Sequence, residues 1–175
     1  MNFDNLMTTI GLLIKEVRIG KKNTLYELAF KTGIVADHIQ KIESFKHGGI
    51  QLLTYAKILY GLECGLSFKT KSKPDTSLTV SSEFEDLLDC MFFGLTKDKE
   101  YQYLTYKPSL LLTEIALQVR TKRNKLNLSQ NKLAEISGMS NTTIYRIERG
   151  THNISLHSLY KLCNSLKNYK QKGKL

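Results

Sequence analysis

The sequence predicts a mainly α-helical protein in which two similar helical units are joined by a small α+β middle segment. Two observations support this fold class. A stretch of the first half reappears in the second half, and in both halves apolar residues recur at helical spacing between residues that begin and end helices. The predicted boundaries are 1–66 for the first unit, 67–108 for the middle segment and 109–175 for the second unit.

The internal repeat becomes visible when residues 14–43 are displaced by 105 positions onto 119–148. The matches include Arg18 with Arg123, Leu28-Ala29 with Leu133-Ala134, Gly33 with Gly138, Ile42-Glu43 with Ile147-Glu148 and, after a gap of one residue, Leu52 with Leu156 and Ile58 with Leu162. A duplication is the simplest explanation, and it predicts the same helix arrangement in both units.

The second unit is predicted to contain four helices, at 109–126, 130–137, 141–149 and 156–166. Ser129 and Ser140 are candidate N-caps, because their hydroxyls can satisfy first-turn amides. Gly138 can adopt the left-handed conformation that ends a helix and turns the chain, and Gly150 stops the third helix. Two short helices with such a tight turn between them are typical of helix-turn-helix geometry.

One charged pair recurs in both units. Arg18 and Glu43, like Arg123 and Glu148, stand 25 residues apart. Each pair would connect the first helix of its unit to the end of the third. Two exposed charges of little energetic value are the alternative, but the recurrence favours a partly buried ion pair that fixes the helix arrangement.

The second unit closely resembles the Cro/lambda-repressor (XRE) family of helix-turn-helix regulators. The residues that carry the resemblance are Arg123, Leu128-Ser129-Gln130, Leu133-Ala134, Gly138-Met139-Ser140, Ile144 and Ile147-Glu148-Arg149-Gly150. The first unit resembles the same family more weakly. Its end, KILYGLECGLSFKT, is also similar to the tail of HipB-type antitoxins, in which a strand after the last helix pairs across a dimer. The resemblance implies two lambda-repressor-like domains and a third helix that lies in the DNA major groove.

The predicted DNA contacts surround the turn of the second unit. Helix N-termini carry amides and a partial positive charge that suit a phosphate, whereas Asn, Arg and Thr side chains can distinguish base edges. The predicted base contacts are Asn141, Thr142, Arg146 and Tyr145. The predicted phosphate contacts are Ser129, Gln130, Ser140, Thr143, Arg149, Thr151 and Asn153.

The first unit departs from the second at the positions that would touch DNA. Leu25 replaces Gln130, Val35 replaces the cap Ser140, and Ala36-Asp37 replace Asn141-Thr142. An aspartate that faces phosphate is repulsive, so this unit is predicted to keep the fold and lose the DNA surface. It would instead hold copies together or bind another protein, although His38, Lys41 and Lys46 leave weak DNA contact open.

The middle segment is predicted to contain short strands at 66–70 and 78–80, a further strand around 101–106, and one amphipathic helix from Ser82 to Phe93. Ser82 and Glu85 have the spacing of a capping box. The apolar stripe of this helix, Phe84, Leu87, Leu88, Met91 and Leu95, has two interpretations: it packs on its own chain, or it forms a dimer interface.

Composition restricts the function. The net charge is +10 over 175 residues, and the second unit alone carries twelve Lys and Arg against three Asp and Glu. This excess predicts an anionic partner. Three cysteines that are far apart in sequence are predicted to be reduced. We predict no enzymatic activity, no cofactor, no metal and no membrane segment, and a cytoplasmic location.

The predicted function is a sequence-specific transcriptional regulator, a repressor, that binds double-stranded DNA as a homodimer. An antitoxin-like protein is the alternative; it would neutralise a protein partner through the first unit or the middle segment and regulate its own operon. A controller of a restriction–modification system is a third interpretation and differs only in the genes it regulates.

Overall fold

The computed structural model describes residues 1–45, 49–66, 68, 81–93, 95 and 108–172. Within these ranges the chain forms nine helices, which we number in chain order. They are α1 (Phe3–Gly20), α2 (Leu25–Thr32), α3 (Ala36–Glu43), α4 (Leu52–Gly61), α5 (Ser82–Met91), α6 (Pro108–Lys125), α7 (Gln130–Ser137), α8 (Asn141–Glu148) and α9 (Leu156–Lys172). Buried residues of both units and of α5 form one continuous hydrophobic core.

The helix ends of the second unit follow the sequence prediction closely. Ser129 and Ser140 cap α7 and α8, and Gly138 ends α7 in the left-handed conformation at φ +63°. Helices α6 and α8 lie within one residue of the predicted bounds, whereas α9 continues to Lys172 rather than ending at 166. The prediction stopped at the last apolar residue of the stripe, but no glycine or proline follows until Gly173, so nothing in the sequence ends the helix earlier.

In the first unit, the caps of α2 and α3 differ as the sequence predicts. Thr24 begins α2 with a capping box: its hydroxyl accepts from the Glu27 N–H at 3.1 Å, and the Glu27 carboxylate accepts from the Thr24 N–H at 2.6 Å. By contrast, Val35 precedes α3 and supplies no side-chain cap. The first turn of α3 therefore lacks the hydroxyl that α8 receives from Ser140.

Backbone details recur at matched positions of the two units. Lys22 and Asn127, both non-glycine residues, adopt positive φ angles of 56° and 53° after the first helix. Phe45 and Gly150 do the same after the third, at 60° and 67°. Outside Gly and Asn such angles are uncommon, so their recurrence at Lys22 and Phe45 shows that the two segments follow the same path.

The two units meet through a short antiparallel contact. The Leu52 N–H donates to the Ile154 carbonyl and the Leu156 N–H donates to the Ile50 carbonyl, both at 2.8 Å. These bonds flank an isolated bridge between Gln51 and Ser155. The four flanking side chains are buried, so the contact belongs to the common core.

Helix α5 packs against α9, and this contact corrects the cysteine prediction. Cys90 of α5 and Cys163 of α9 form a disulfide, with their Cα atoms 6.1 Å apart; both had been predicted to be reduced. Their separation of 73 residues hid the pairing, because only the packing of α5 on α9 brings the two positions within bonding range. Cys64 is buried and takes no part in this disulfide; its Sγ donates to the Leu62 carbonyl at 3.3 Å.

Helix α5 packs on its own chain, which is the first of the two interpretations of its apolar stripe. Phe84, Leu88, Met91 and Leu95 are buried within the protein, so this stripe does not present a dimer interface. The N-cap is Ser81, whose hydroxyl accepts from the Phe84 N–H at 3.3 Å, and not Ser82 as predicted. The helix ends at Met91, two residues before the predicted end.

The predicted strands at 78–80 and 101–106 lie outside the described residues, as does most of the one at 66–70. Among the residues that the structure describes, no strand is formed beyond isolated bridges, so the α+β description of the middle segment gains no support. In the same part of the chain, no helix has the length and apolar character needed to cross a membrane.

Candidate nucleic-acid interface

Helices α7 and α8 and the turn between them build the candidate interface. The hydroxyl of Ser129 accepts from the Lys132 N–H at 3.1 Å, and that of Ser140 accepts from the Thr143 N–H at the same distance. Ser140 also shares a hydrogen bond of 2.8 Å with the Thr143 hydroxyl. Each cap accepts a hydrogen bond from one first-turn amide. The first-turn amides that precede the bonded one have no partner within the helix and point away from it. Both N-termini thus keep donors that suit a phosphate oxygen.

Helix α8 has one buried and one exposed face. Ile144, Ile147 and Glu148 are buried and pack against α6 and α7. The exposed face contains Asn141, Thr142, Tyr145, Arg146 and, at its end, Arg149. These spacings place the exposed side chains along one side of the helix. The four predicted base contacts therefore share one surface.

A largely buried ion pair joins α6 to the end of α8. Arg123 Nε donates to Glu148 Oε1 at 2.6 Å and Nη2 to Glu148 Oε2 at 3.0 Å, while Nη1 donates to the Leu128 carbonyl at 2.7 Å. The side chains are only 12% and 3% exposed. The hydrogen bonds to Glu148 raise the pKa of Arg123 above its ordinary value, and burial opposes them more weakly. The guanidinium therefore stays charged at neutral pH.

The first unit contains the matching pair. Arg18 binds Glu43 through two hydrogen bonds of 2.7 and 2.8 Å, and its Nη1 donates to the Asn23 carbonyl at 3.0 Å. Both predicted ion pairs are thus present, partly buried, and each spans the first helix, the turn after it and the end of the third helix. The second pair has one additional partner, because Gln130 Nε2 donates to Glu148 Oε2 at 2.7 Å.

The contact of Gln130 with Glu148 was not expected from the sequence. Gln130 was predicted to bind phosphate, and the structure uses one hydrogen of its amide to support the ion pair. The second hydrogen on Nε2 would remain for a phosphate. No sequence signal indicates this bond, because 18 residues separate the two partners and only the packing of α7 on α8 joins them.

Tyr145 and Arg149 form a second local pair on the exposed side. Arg149 Nη1 donates to the Tyr145 hydroxyl at 2.6 Å, and the guanidinium carbon lies 5.5 Å from the ring centroid. The contact combines a hydrogen bond with a cation–π interaction. It holds the charge of Arg149 beside α8, close to the exposed Arg146.

Two predicted phosphate contacts lie at the edge of this surface. Thr151 is exposed, and its N–H and hydroxyl both donate to the Arg146 carbonyl, at 3.1 and 3.3 Å. Asn153 faces the first unit: its Oδ1 accepts from the Leu53 N–H at 3.1 Å and so caps the beginning of α4. Only the Nδ2 group of Asn153 would be left to donate to a phosphate.

The matching surface of the first unit has different chemistry. Lys41, which matches Arg146, forms an ion pair of 2.8 Å with Asp37, which matches Thr142. The lysine of α3 is therefore paired with an acidic neighbour on the same helix. Three large apolar side chains are exposed nearby, namely Tyr26 (81%), Phe30 (92%) and Val35 (72%). The second unit has Asn131, Glu135 and Ser140 at these positions.

Comparison with known proteins supports the assignment of the second unit. Residues 119–169 match the family model described as helix-turn-helix. The chain is also similar to Control protein C.SmaI of Serratia marcescens, with 46% identity over 52 residues. That match covers 30% of this chain and 62% of the relative, so this chain spans less than two thirds of the relative's length. No solved structure matches the protein.

The matched region coincides with the surface described above. Residues 119–169 contain the end of α6, all of α7 and α8 and most of α9. This region is similar to helix-turn-helix domains, and α7 and α8 with the turn between them have the geometry of that motif. Within the described ranges, no group of three or more His, Cys, Asp or Glu has the arrangement needed to hold a metal ion.

Proposed function

We propose that this protein is a sequence-specific DNA-binding transcription regulator that acts as a repressor and inserts α8 of the second unit into the major groove. The observation that carries the proposal is the exposed side of α8, where Asn141, Thr142 and Arg146 lie together beside two capped helix N-termini. A solvated helix face needs no such combination. The relative's name describes a control protein, which agrees with a regulatory function.

Each group on this surface has a chemical role in the proposal. Asn141 contacts an adenine edge, Arg146 a guanine edge and the methyl group of Thr142 a thymine methyl group, with Tyr145 beside them. The amides and hydroxyls at the starts of α7 and α8 bind phosphates, together with Arg149. Ser129, Gln130, Ser140, Thr143, Thr151 and Asn153 complete the backbone contacts. The positive charge of the second unit attracts the duplex before these contacts form.

A binding titration with the full chain tests the proposal. The double variant Asn141→Ala/Arg146→Ala should lose roughly 1–3 kcal/mol per position on a selected DNA site. Arg120→Ala is the matched control, because Arg120 is exposed on α6 and lies outside the proposed surface. Equal losses in the double variant and the control would show that net charge, and not the α8 surface, determines binding.

A second candidate function follows from the exposed apolar side chains of the first unit. Tyr26, Phe30 and Val35 form a patch that a regulator with DNA as its only partner does not need. This patch favours a protein partner, as in an antitoxin-like protein. A double variant with the second unit's residues, Tyr26→Asn/Phe30→Glu, separates the two functions. If this variant no longer binds the product of a co-expressed neighbouring gene and its DNA affinity is unchanged, the antitoxin-like function is supported.

A homodimer that occupies two half-sites, with control of a restriction–modification system as one special case, is one arrangement in which this regulator would bind DNA. The contact between the two units provides a different way to place two helix-turn-helix units on one DNA site.

A further inference from the structure

We propose that a single chain contains both members of a pseudo-two-fold pair of helix-turn-helix units, and that it binds an asymmetric DNA site as one chain, with bases specified only by the second unit. The inference rests on the proposed DNA-binding function and deepens it. In this arrangement the DNA site is not a symmetric operator that binds two chains. It binds one chain, and the protein recognises the base sequence of only one half-site.

The bridge between the units carries the inference. Gln51 and Ser155 pair with each other, and they are also equivalent positions in the internal repeat, because Leu52 matches Leu156. A segment that pairs with its own equivalent, antiparallel, is related to it by a local two-fold axis. An isologous interface between two identical subunits has this same property.

The hydrogen bonds on either side of the bridge are reciprocal. The first unit donates from Leu52 to Ile154, and the second unit returns the bond from the equivalent Leu156 to the equivalent Ile50, with both distances 2.8 Å. Exchanging the two units leaves this pattern unchanged. Any antiparallel bridge of this type has two such bonds, but here the donors and the acceptors are also equivalent positions of the repeat.

The helices around the bridge repeat the relation. Helix α4 of the first unit packs against α6, the first helix of the second unit. In return, α9 packs against α1: the rings of Phe3 and His157 stack with centroids 4.4 Å apart, and the Tyr160 hydroxyl donates to the Met1 carbonyl at 2.9 Å. Because α9 matches α4 and α1 matches α6, the two-fold relation extends beyond the bridge.

The consequence concerns the surface through which the second unit would pair with a second copy of itself. Ile154 and Leu156 are buried against the first unit, and Asn153 caps α4. The first unit therefore occupies this surface within the chain. It brings an α3 on which Lys41 is paired with Asp37, so only one of the two helix-turn-helix units keeps base-contacting side chains.

The stoichiometry and the sequence of the bound site test the inference. Binding-site selection with the full chain should yield one specified half-site without an inverted repeat. The complex should contain one chain of 20.0 kDa per duplex when its mass is measured. Two chains on an inverted repeat would overturn the inference while leaving the proposed function intact.

A gain-of-function variant provides the stronger test. The changes Val35→Ser, Ala36→Asn, Asp37→Thr, Gln40→Tyr and Lys41→Arg place the side chains of α8 on α3. All five positions are at least partly exposed, so the core is unaffected. The variant should select an inverted repeat as a single chain, and it should bind that repeat about 10²-fold more tightly than one half-site. Selection of a direct repeat, or of one half-site only, would contradict the two-fold relation.

The proposed function fails separately from this inference. If the unmodified chain selects no DNA sequence, or if Asn141→Ala selects the same sequence as the unmodified chain, the assignment of α8 is wrong. If α8 determines the sequence but two chains bind symmetrically, only the single-chain inference is wrong.

Discussion

Gly11 and Phe45 explain how the first unit tolerates an aromatic residue where the second unit has Gly150. A Cβ on Gly11 would lie 2.6 Å from the Ile42 carbonyl oxygen and 2.7 Å from the Phe45 ring. The second unit has Ala116 at the position of Gly11 and no side chain at Gly150. The first helix and the end of the third therefore approach closely in both units, with the glycine on the first helix in one unit (Gly11) and after the third helix in the other (Gly150).

We predict that Gly11→Ala destabilises the protein. The new methyl group meets backbone and an aromatic ring, neither of which can move cheaply, so the loss should be about 1–3 kcal/mol in the free energy of unfolding. Gly20→Ala is the control: it is helical, nothing lies within 4 Å of its Cβ, and the change should be neutral or stabilising. Thermal unfolding of both variants measures the difference, and equal melting temperatures would contradict the packing described for Gly11.

Arg149 illustrates how a charge is positioned without specifying a base. The Tyr145 ring and hydroxyl hold its guanidinium beside α8. If Arg149 binds a phosphate, Arg149→Ala should flatten the dependence of log affinity on log salt concentration by about one unit. The preferred DNA sequence should not change. Titrations at several salt concentrations, with Arg120→Ala as control, measure this slope. An unchanged slope would remove Arg149 from the phosphate contacts.

At the level of helices, the two ion pairs fix each third helix to its first helix. Removing one partner of a buried pair leaves an uncompensated charge, so Arg123→Ala should cost about 3–5 kcal/mol of stability. The control Arg120→Ala lies on the same helix but is exposed. Because the pKa of Arg123 is raised, the guanidinium is charged throughout the neutral range and its contribution should not vary there. Chemical denaturation at two pH values near neutrality tests both statements. Equal free energies of unfolding for Arg123→Ala and Arg120→Ala would show that the pair does not stabilise the fold.

The disulfide between α5 and α9 makes a separate prediction. In the chain-entropy account, a cross-link between residues 73 positions apart stabilises the folded state by roughly 4 kcal/mol. A thiol reductant should lower the melting temperature of the unmodified protein. The variant Cys90→Ser/Cys163→Ser should start from the lower temperature and show no response to the reductant. A melting temperature that is insensitive to reductant in both proteins would argue against the bond.

How much the sequence could predict differs between elements. Helices α7 and α8 were predicted to within a residue, because Ser129, Gly138 and Ser140 mark their ends by local chemistry. The disulfide could not be predicted, because it depends on the packing of α5 on α9. The same applies to the support of Glu148 by Gln130 and to the capping of α4 by Asn153. Local signals determine helix ends, while contacts between distant segments appear only once the units have packed.

At the scale of the whole molecule, the two units divide the chemistry between them. The first unit keeps the buried ion pair and the helix arrangement, but its α3 has lost the cap and pairs its lysine with Asp37. The second unit carries most of the net positive charge and the uninterrupted polar surface of α8. The repeat thus preserves the residues that pack and changes those that face a partner.

The central claim is that α8 of the second unit specifies the DNA sequence. Binding-site selection with the full chain and with three variants, Asn141→Ala, Arg146→Ala and Gln130→Ala, tests it most directly. Base contacts specify and phosphate contacts only position. The first two variants should therefore each lose preference at one position of the half-site, and these positions should differ. Gln130→Ala should weaken binding to all sequences about equally and keep the preference of the unmodified protein. Identical sequence preferences for Asn141→Ala, Arg146→Ala and the unmodified protein would contradict the claim.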